Sequence, residues 1–315
     1  MKLQRLVVWV GQIVLAVIVI GFIGREVITN WSELSALNVA LEPRPGWILM
    51  AALVVIATYG LLVSAWRLVL GGWGQQLPLA RAARIWCLSN LGRYLPGKVW
   101  SIAGLAIMAQ RAGVAAWAAA ASALAMQALA VGTGVLVVLL SAPGAAQPVI
   151  GAVGISSSAG PILVVGTGAL ALAMVTALTS KPLSARIARL AGRRFELRPL
   201  PLATVATAGG AALASWVAYG ISFWFLARGL FGISHLTVPS AVAVFATGYI
   251  VGLLALFAPG GIGVRELVFL ALLGPVLGPS GALALTIASR LLLTGTEVSA
   301  ALLTMALRSQ QGGET

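Results

Sequence analysis

Ala258-Pro259-Gly260-Gly261-Ile262-Gly263-Val264-Arg265-Glu266 interrupts an apolar region that otherwise runs from Ala241 to Leu277. Proline removes a helical donor and glycine loosens the backbone, so this stretch breaks any helix that enters it. A second interruption, Leu95-Pro96-Gly97-Lys98, divides Ile85–Ala109 into two arms of 11 residues, Ile85–Leu95 and Val99–Ala109. At about 1.5 Å per residue each arm reaches roughly 16 Å, half of a bilayer core. A re-entrant helical hairpin therefore fits Ile85–Ala109 better than a span. For the later region, the first arm Ala241–Phe257 is close to the length needed to cross, which gives eight full spans as the competing architecture.

The bilayer enters this reading through composition. Of the 315 residues, 60% are hydrophobic and 9% charged, against about 45–50% and about 25% in soluble domains. Twenty-seven charges cannot cover the surface of a soluble fold of this size. The expected fold is all-α, one polytopic transmembrane domain over residues 1–315. Six full spans are expected at Leu6–Gly24, Trp47–Leu70, Val114–Leu140, Pro161–Leu178, Leu202–Leu226 and Ala282–Leu307, each near the ~20 residues that a crossing helix needs. The first run is longer than a signal-peptide core and lacks a convincing small-x-small site, so it reads as an uncleaved span.

Basic residues set the orientation. Lys2 and Arg5 precede the first span. Arg81, Arg84, Arg93, Lys98 and Arg111 follow the second with no acid among them. Thr179–Pro201 carries Lys181, Arg186, Arg189, Arg193, Arg194 and Arg198 against Glu196 alone. The net charge of +13 is therefore read as topology, not as nucleic-acid binding, with both termini in the cytoplasm. Residues 1–140, with the hairpin at 85–109, then match residues 161–307, with the hairpin at 241–277, as an inverted repeat. Paired Gly/Pro-interrupted segments in inverted halves point to a transporter's binding site.

The chemistry gathers at the two breaks. Helices restarting after Pro96-Gly97 and after Pro259-Gly260-Gly261-Ile262-Gly263 present unpaired amides and positive dipole ends, which attract anions. Arg93 and Lys98 flank the first break; Arg265 and Glu266 follow the second. Ionisable groups between apolar stretches need partners. Arg290, Thr294 and Glu297 form one stripe on the last span, and the pairs Arg265–Glu297 and Glu266–Arg290 would neutralise four charges. The candidate headgroup site is thus Arg93, Pro96, Gly97, Lys98, Pro259, Gly260, Gly261, Gly263, Arg265, Glu266, Arg290 and Glu297. Within it the glutamates either position the arginines or take up a proton. Ser215, Tyr219, Ser222 and Gln127 read as interhelical hydrogen-bond glue.

The stretches Leu91-Gly92-Arg93-Tyr94-Leu95-Pro96-Gly97-Lys98-Val99-Trp100 and Pro259-Gly260-Gly261-Ile262-Gly263-Val264-Arg265-Glu266 resemble the two signature stretches of the lysylphosphatidylglycerol synthase transmembrane-domain family, also called flippase-like. The resemblance covers about Leu6 to Leu307. It implies an inner-membrane helical protein that moves a lipid, or its headgroup, between leaflets. Full-length synthases carry a further soluble domain for aminoacyl transfer, and that activity is not expected of residues 1–315. A cationic lysyl-lipid would favour carboxylates along its path, but there is no aspartate, and only Glu266 and Glu297 lie there. A basic site suits an anionic headgroup, such as a phospholipid or a polyprenyl phosphate.

Two rival classes remain. A membrane-embedded enzyme would need groups that are scarce here. One histidine, His235, cannot make the pair of a zinc protease, Mg²⁺ chemistry relies on carboxylate clusters, and Cys87 alone cannot build a thiolate cage. No cofactor is expected. The other rival is a non-transporting partner or regulator of an envelope lipid or glycan enzyme, docking through Thr179–Pro201. A homo-oligomer is compatible with either class.

Overall fold

A computed structural model describes residues 42–94, 99–141, 175–182, 199–232, 236–254 and 263–311, with the isolated positions 166, 169 and 173. Among these residues the chain forms α1 (Pro45–Gly72), α2 (Leu79–Asn90), a 3-10 turn (Leu91–Tyr94), α3 (Trp100–Arg111), α4 (Ala116–Ser141), α5 (Leu202–Phe231), α6 (Val238–Leu254) and α7 (Val264–Gln311), and no strand. The expected span Leu6–Gly24, most of Pro161–Leu178, the basic loop beyond Pro182, His235, and both Pro-Gly turns lie outside the described residues.

Four helices among the described residues are long and apolar enough to cross a membrane: Pro45–Gly72, Ala116–Leu140, Leu202–Phe231 and Val264–Ala306. They coincide with four of the six expected spans. The last contains a sharp break. Gly278 takes φ 71° and ψ 164° between Pro275 and Pro279. A side chain would resist that positive φ, and Pro279 brings no amide to continue the ladder. The break separates α7a, residues 264–277, from α7b, residues 279–311.

Contacts fix the helix directions. Ser222 Oγ donates to the Ala51 carbonyl at 2.9 Å, while Val69 and Leu70 share an apolar cluster with Leu200 and Val205. Thus α1 and α5 run antiparallel along their whole length. Each half of this pair carries a different partner. The half near Ala51 packs with α6 and α7a through Phe223, Phe245, Phe269 and Leu273. The half near Leu70 packs with α2, α3 and the start of α4 through Trp66, Trp86, Leu105 and Ala119. Indole pairs tie the latter block together, Trp66 with Trp86 at 5.9 Å and Trp73 with Trp117 at 5.6 Å.

The short helices form two antiparallel pairs. In the first, α2 and α3 have 12 residues each, about 18 Å of helix, too short to cross a core of about 30 Å. Their packing is close: a methyl group on Gly92 would lie 2.9 Å from the Ser101 amide nitrogen, and one on Gly104 would lie 3.5 Å from the Ser89 β-carbon. Both helices extend beyond the expected Ile85–Ala109. Pro78 caps α2 one and a half turns earlier, and the arginines that read as loop charges sit on the helix, with Arg81 exposed.

In the second pair, α6 has 17 residues and α7a about 20 Å of helix. The Phe245 and Phe269 rings lie 6.4 Å apart, and Phe269 also fills the space beside Gly248. The start of α6 precedes the expected Ala241 because Thr237 caps it, accepting from the Ser240 amide at 3.3 Å.

The two pairs open in opposite directions. Cys87, Leu88 and Leu91 of α2 pack on Val298 and Ala301 of α7b, and Tyr94 reaches Thr294. The first pair therefore rises from the C-terminal end of α7b. The second pair descends from the Gly278 end. Their loop ends arrive at neighbouring levels, about halfway along α7b.

Candidate functional site

The space between the two loop ends is a cavity of about 520 Å³. Its lining includes Arg93, Arg265, Arg290 and Glu297, four of the residues expected from sequence. Pro96, Gly97, Lys98, Pro259, Gly260 and Gly261 lie outside the described residues.

Arg93 comes from the 3-10 turn that ends α2. That turn directs its side chain toward α7b, where Nη1 meets Glu297 Oε1 at 2.8 Å. The same nitrogen donates to Tyr249 Oη at 2.9 Å, and Nε donates to the Asn90 carbonyl at 3.2 Å. Glu297 is 4% exposed and Arg93 is 29% exposed, so the guanidinium is reached from the cavity more readily than its carboxylate. Tyr94 completes the arrangement, its hydroxyl 2.9 Å from both Thr294 Oγ1 and Glu297 Oε2. Tyr59 of α1 meets Thr296, the chain neighbour of Glu297, at 3.3 Å.

At the other loop end Glu266 reaches back to accept from the Gly263 amide at 2.7 Å. This is the glutamate half of a capping box, and it satisfies an orphan donor where α7a restarts. The other oxygen of Glu266 pairs with Arg290 Nη1. The expected Glu266–Arg290 pair is therefore present, joining α7a to α7b across the Gly278 break.

The expected Arg265–Glu297 pair is not formed. Glu297 is taken by Arg93, whose helix end lies level with it, one to two turns further along α7b than Arg265. Arg265 instead donates to Ser289 Oγ at 3.2 Å and lies over aromatic rings, 5.0 Å from Phe269, 5.3 Å from Phe245 and 5.8 Å from Tyr249. Among the described residues no carboxylate stands within ion-pair distance of it. A guanidinium held by ring faces keeps its charge and offers its edge to a further acceptor.

Several lining residues were not singled out from sequence. Tyr249 is the foremost, because it touches both loop ends: it accepts from Arg93, its ring faces Arg265, and Trp216 holds it edge-on at 5.4 Å. It sits inside an apolar run, and a polar atom among apolar residues was the one signal available. Ser89, Asn90 and Trp86 line the cavity from α2. Of the residues read as interhelical glue, Ser222 has that role, whereas Gln127, Ser215 and Tyr219 line the cavity.

The wall away from the ions is apolar, with Leu62, Ile102, Leu105, Val131 and Leu253 among its residues. The site thus combines a cationic floor with hydrocarbon walls. Among the described residues no group of three His, Cys, Asp or Glu side chains stands together as a metal site. A family model described as the lysylphosphatidylglycerol synthase TM region matches residues 9–296. No curated protein matches the chain.

Proposed function

The chain belongs to the lysylphosphatidylglycerol synthase transmembrane-region family, and from that membership and the geometry of the cavity we propose that it moves a lipid with an anionic headgroup between the leaflets of the inner membrane. The observation that carries this reading is Arg265, a cation in the cavity with ring faces and one hydroxyl around it and no carboxylate partner among the described residues. Three arginines face two glutamates there, and the excess positive charge attracts a phosphodiester. A volume of about 520 Å³ is within the ordinary range of small-ligand sites, about 300–1,000 Å³.

In this reading the two antiparallel pairs are re-entrant hairpins, entering from opposite faces and bringing the headgroup site to the midplane. Acyl chains stay in the bilayer, so only the headgroup needs the polar route. The termini and the basic loop over residues 179–201 face the cytoplasm, following the distribution of arginine and lysine. The family also contains synthases of lysyl-lipid, and a lysyl headgroup would bring its own cation beside Arg265, which disfavours it as the cargo here. The reading assigns transport to this domain and no catalysis.

Leaflet-resolved transport in proteoliposomes tests it, with fluorescent phosphatidylglycerol, phosphatidylethanolamine and lysylphosphatidylglycerol compared side by side. Phosphatidylglycerol should exchange fastest, and Arg265→Ala should remove the preference. Equal rates for all three, or none above empty vesicles, would overturn the proposal.

A further inference from the structure

We propose that Glu297 couples headgroup binding to uptake of one proton: an anionic headgroup takes Arg93 away from Glu297, and the freed carboxylate is neutralised. The proposal rests on the reading of the cavity as an anionic-headgroup site. It starts from the different surroundings of the two glutamates. Glu266 caps α7a and pairs with Arg290, so its partners belong to the frame that holds α7a to α7b. Glu297 is 4% exposed, and its partners are Arg93 at 2.8 Å and the Tyr94 hydroxyl at 2.9 Å. Arg93 itself lines the cavity.

An anion drawn to Arg265 comes within reach of Arg93, because both guanidinium groups contact Tyr249. Glu297 occupies Arg93 in the empty site as a resident competitor. Once Arg93 turns to the phosphate, Glu297, 4% exposed, keeps a single hydroxyl partner. An ionised carboxylate stranded there is costly enough that it neutralises instead. The balance is simple: one proton from water joins one carboxylate oxygen, one headgroup anion enters, and the cavity's net charge is unchanged. The neutral acid can still donate to or accept from the Tyr94 hydroxyl.

Among the described residues, the other titratable groups facing Glu297 are Arg93, Tyr94 and Cys87 of the first hairpin, Tyr59 of α1, Tyr219 of α5 and Arg265 of α7a. None is a carboxylate, and phenols, a thiol and arginines all hold their protons near neutral pH. The proton therefore goes to Glu297. Binding must strengthen as pH falls, by about tenfold per pH unit between the carboxyl's pKa in the empty site and its pKa in the filled one.

The test is binding of dihexanoyl phosphatidylglycerol to the purified full chain in phosphatidylcholine nanodiscs, across about pH 5.5–8.5, with dimethyl phosphate, a phosphodiester that keeps one negative charge throughout, as a second probe. The expected result is a Kd that rises about tenfold per pH unit over part of this window in the native protein and is flat and low in Glu297→Gln. Dimethyl phosphate should show the same slope if the headgroup anion alone drives the exchange, whereas a slope for the lipid only would assign it to acyl-chain docking and overturn this mechanism. A flat native profile with tight lipid binding would overturn the coupling and leave the headgroup site standing. Absence of binding by either probe at every pH would sink the site itself. A second measurement guards against a Glu297→Gln protein that fails to fold: in weakly buffered solution a pH-indicator dye should report about one proton taken up by the native protein per lipid bound, and no uptake would refute the proposal.

Discussion

Replacing Arg93 by alanine removes the one cation within ion-pair distance of Glu297 among the described residues. The carboxylate is 4% exposed and retains only the Tyr94 hydroxyl at 2.9 Å. Breaking a buried pair from one side costs about 3–5 kcal/mol, and partial exposure of Arg93 places the loss near about 3 kcal/mol. Arg265→Ala differs in kind. It removes one hydrogen bond of 3.2 Å, worth about 1 kcal/mol, and ring contacts worth about 0.5–2 kcal/mol. It also releases a half-buried cation that has no carboxylate partner among the described residues, so the net should stay within about 1 kcal/mol. Adding Glu297→Gln to each variant separates the cases further. It should restore about 2 kcal/mol or more to Arg93→Ala, whereas in Arg265→Ala it breaks the intact Arg93 pair and should cost what Glu297→Gln costs alone, to within about 0.5 kcal/mol, as expected of sites that do not share a partner. Unfolding in detergent, followed by tryptophan fluorescence, measures these four proteins beside Glu297→Gln itself, and transport is measured on the same preparations. Equal losses for the two arginines, both rescued by Glu297→Gln, would refute the assignment of Glu297 to Arg93.

Other consequences follow from the same geometry. Arg265→Lys should recover only part of the transport lost in Arg265→Ala, because a point charge lacks the planar fork that lies against Phe269 and Phe245; dose-matched proteoliposome rates check this. Tyr249→Phe should leave folding intact within about 1 kcal/mol and lower headgroup affinity several-fold, since Arg93 loses its 2.9 Å partner; lipid-binding titrations decide. Gly92→Ala should destabilise by about 1–3 kcal/mol, because the added methyl meets backbone of Trp100 and Ser101 at 2.9 Å; a protein of native stability would show that α3 yields there. With the buried Cys87 replaced by alanine, single cysteines at Arg111 and Pro279 should label from opposite sides of sealed vesicles; labelling from one side would contradict the opposed hairpins.

The breaks were legible because proline and glycine act locally. Pro259 through Gly263 interrupts a helix whatever surrounds it, and the short arms beside Pro96-Gly97 follow from counting. Pairing across helices was not legible. Arg93, Arg265, Arg290, Glu266 and Glu297 allow several neutral combinations, and spacing along one helix carries no information on the level at which another arrives. Glu266–Arg290 could be found because both lie on one polar stripe and its neighbour. Arg93–Glu297 depended on how far α2 rises beside α7b, which Cys87, Leu88 and Leu91 set by packing on Val298 and Ala301. The early start of α2 was hidden for a related reason: Arg81 and Arg84 carry the same charge whether they sit in a loop or on a helix.

The break at Gly278 gives α7a the proportions of a lever. From that pivot to Arg265 is about 20 Å of continuous helix, and at the far end polar ties to α7b run from Arg265 to Ser289 and from Glu266 to Arg290. A swing of about 10° at the pivot would carry Arg265 through about 3 Å, the length of one hydrogen bond. The glycine, far from the cavity and in contact with none of its charges, thereby sets the gearing of the site: small angles at one face of the protein become whole bond lengths at its centre.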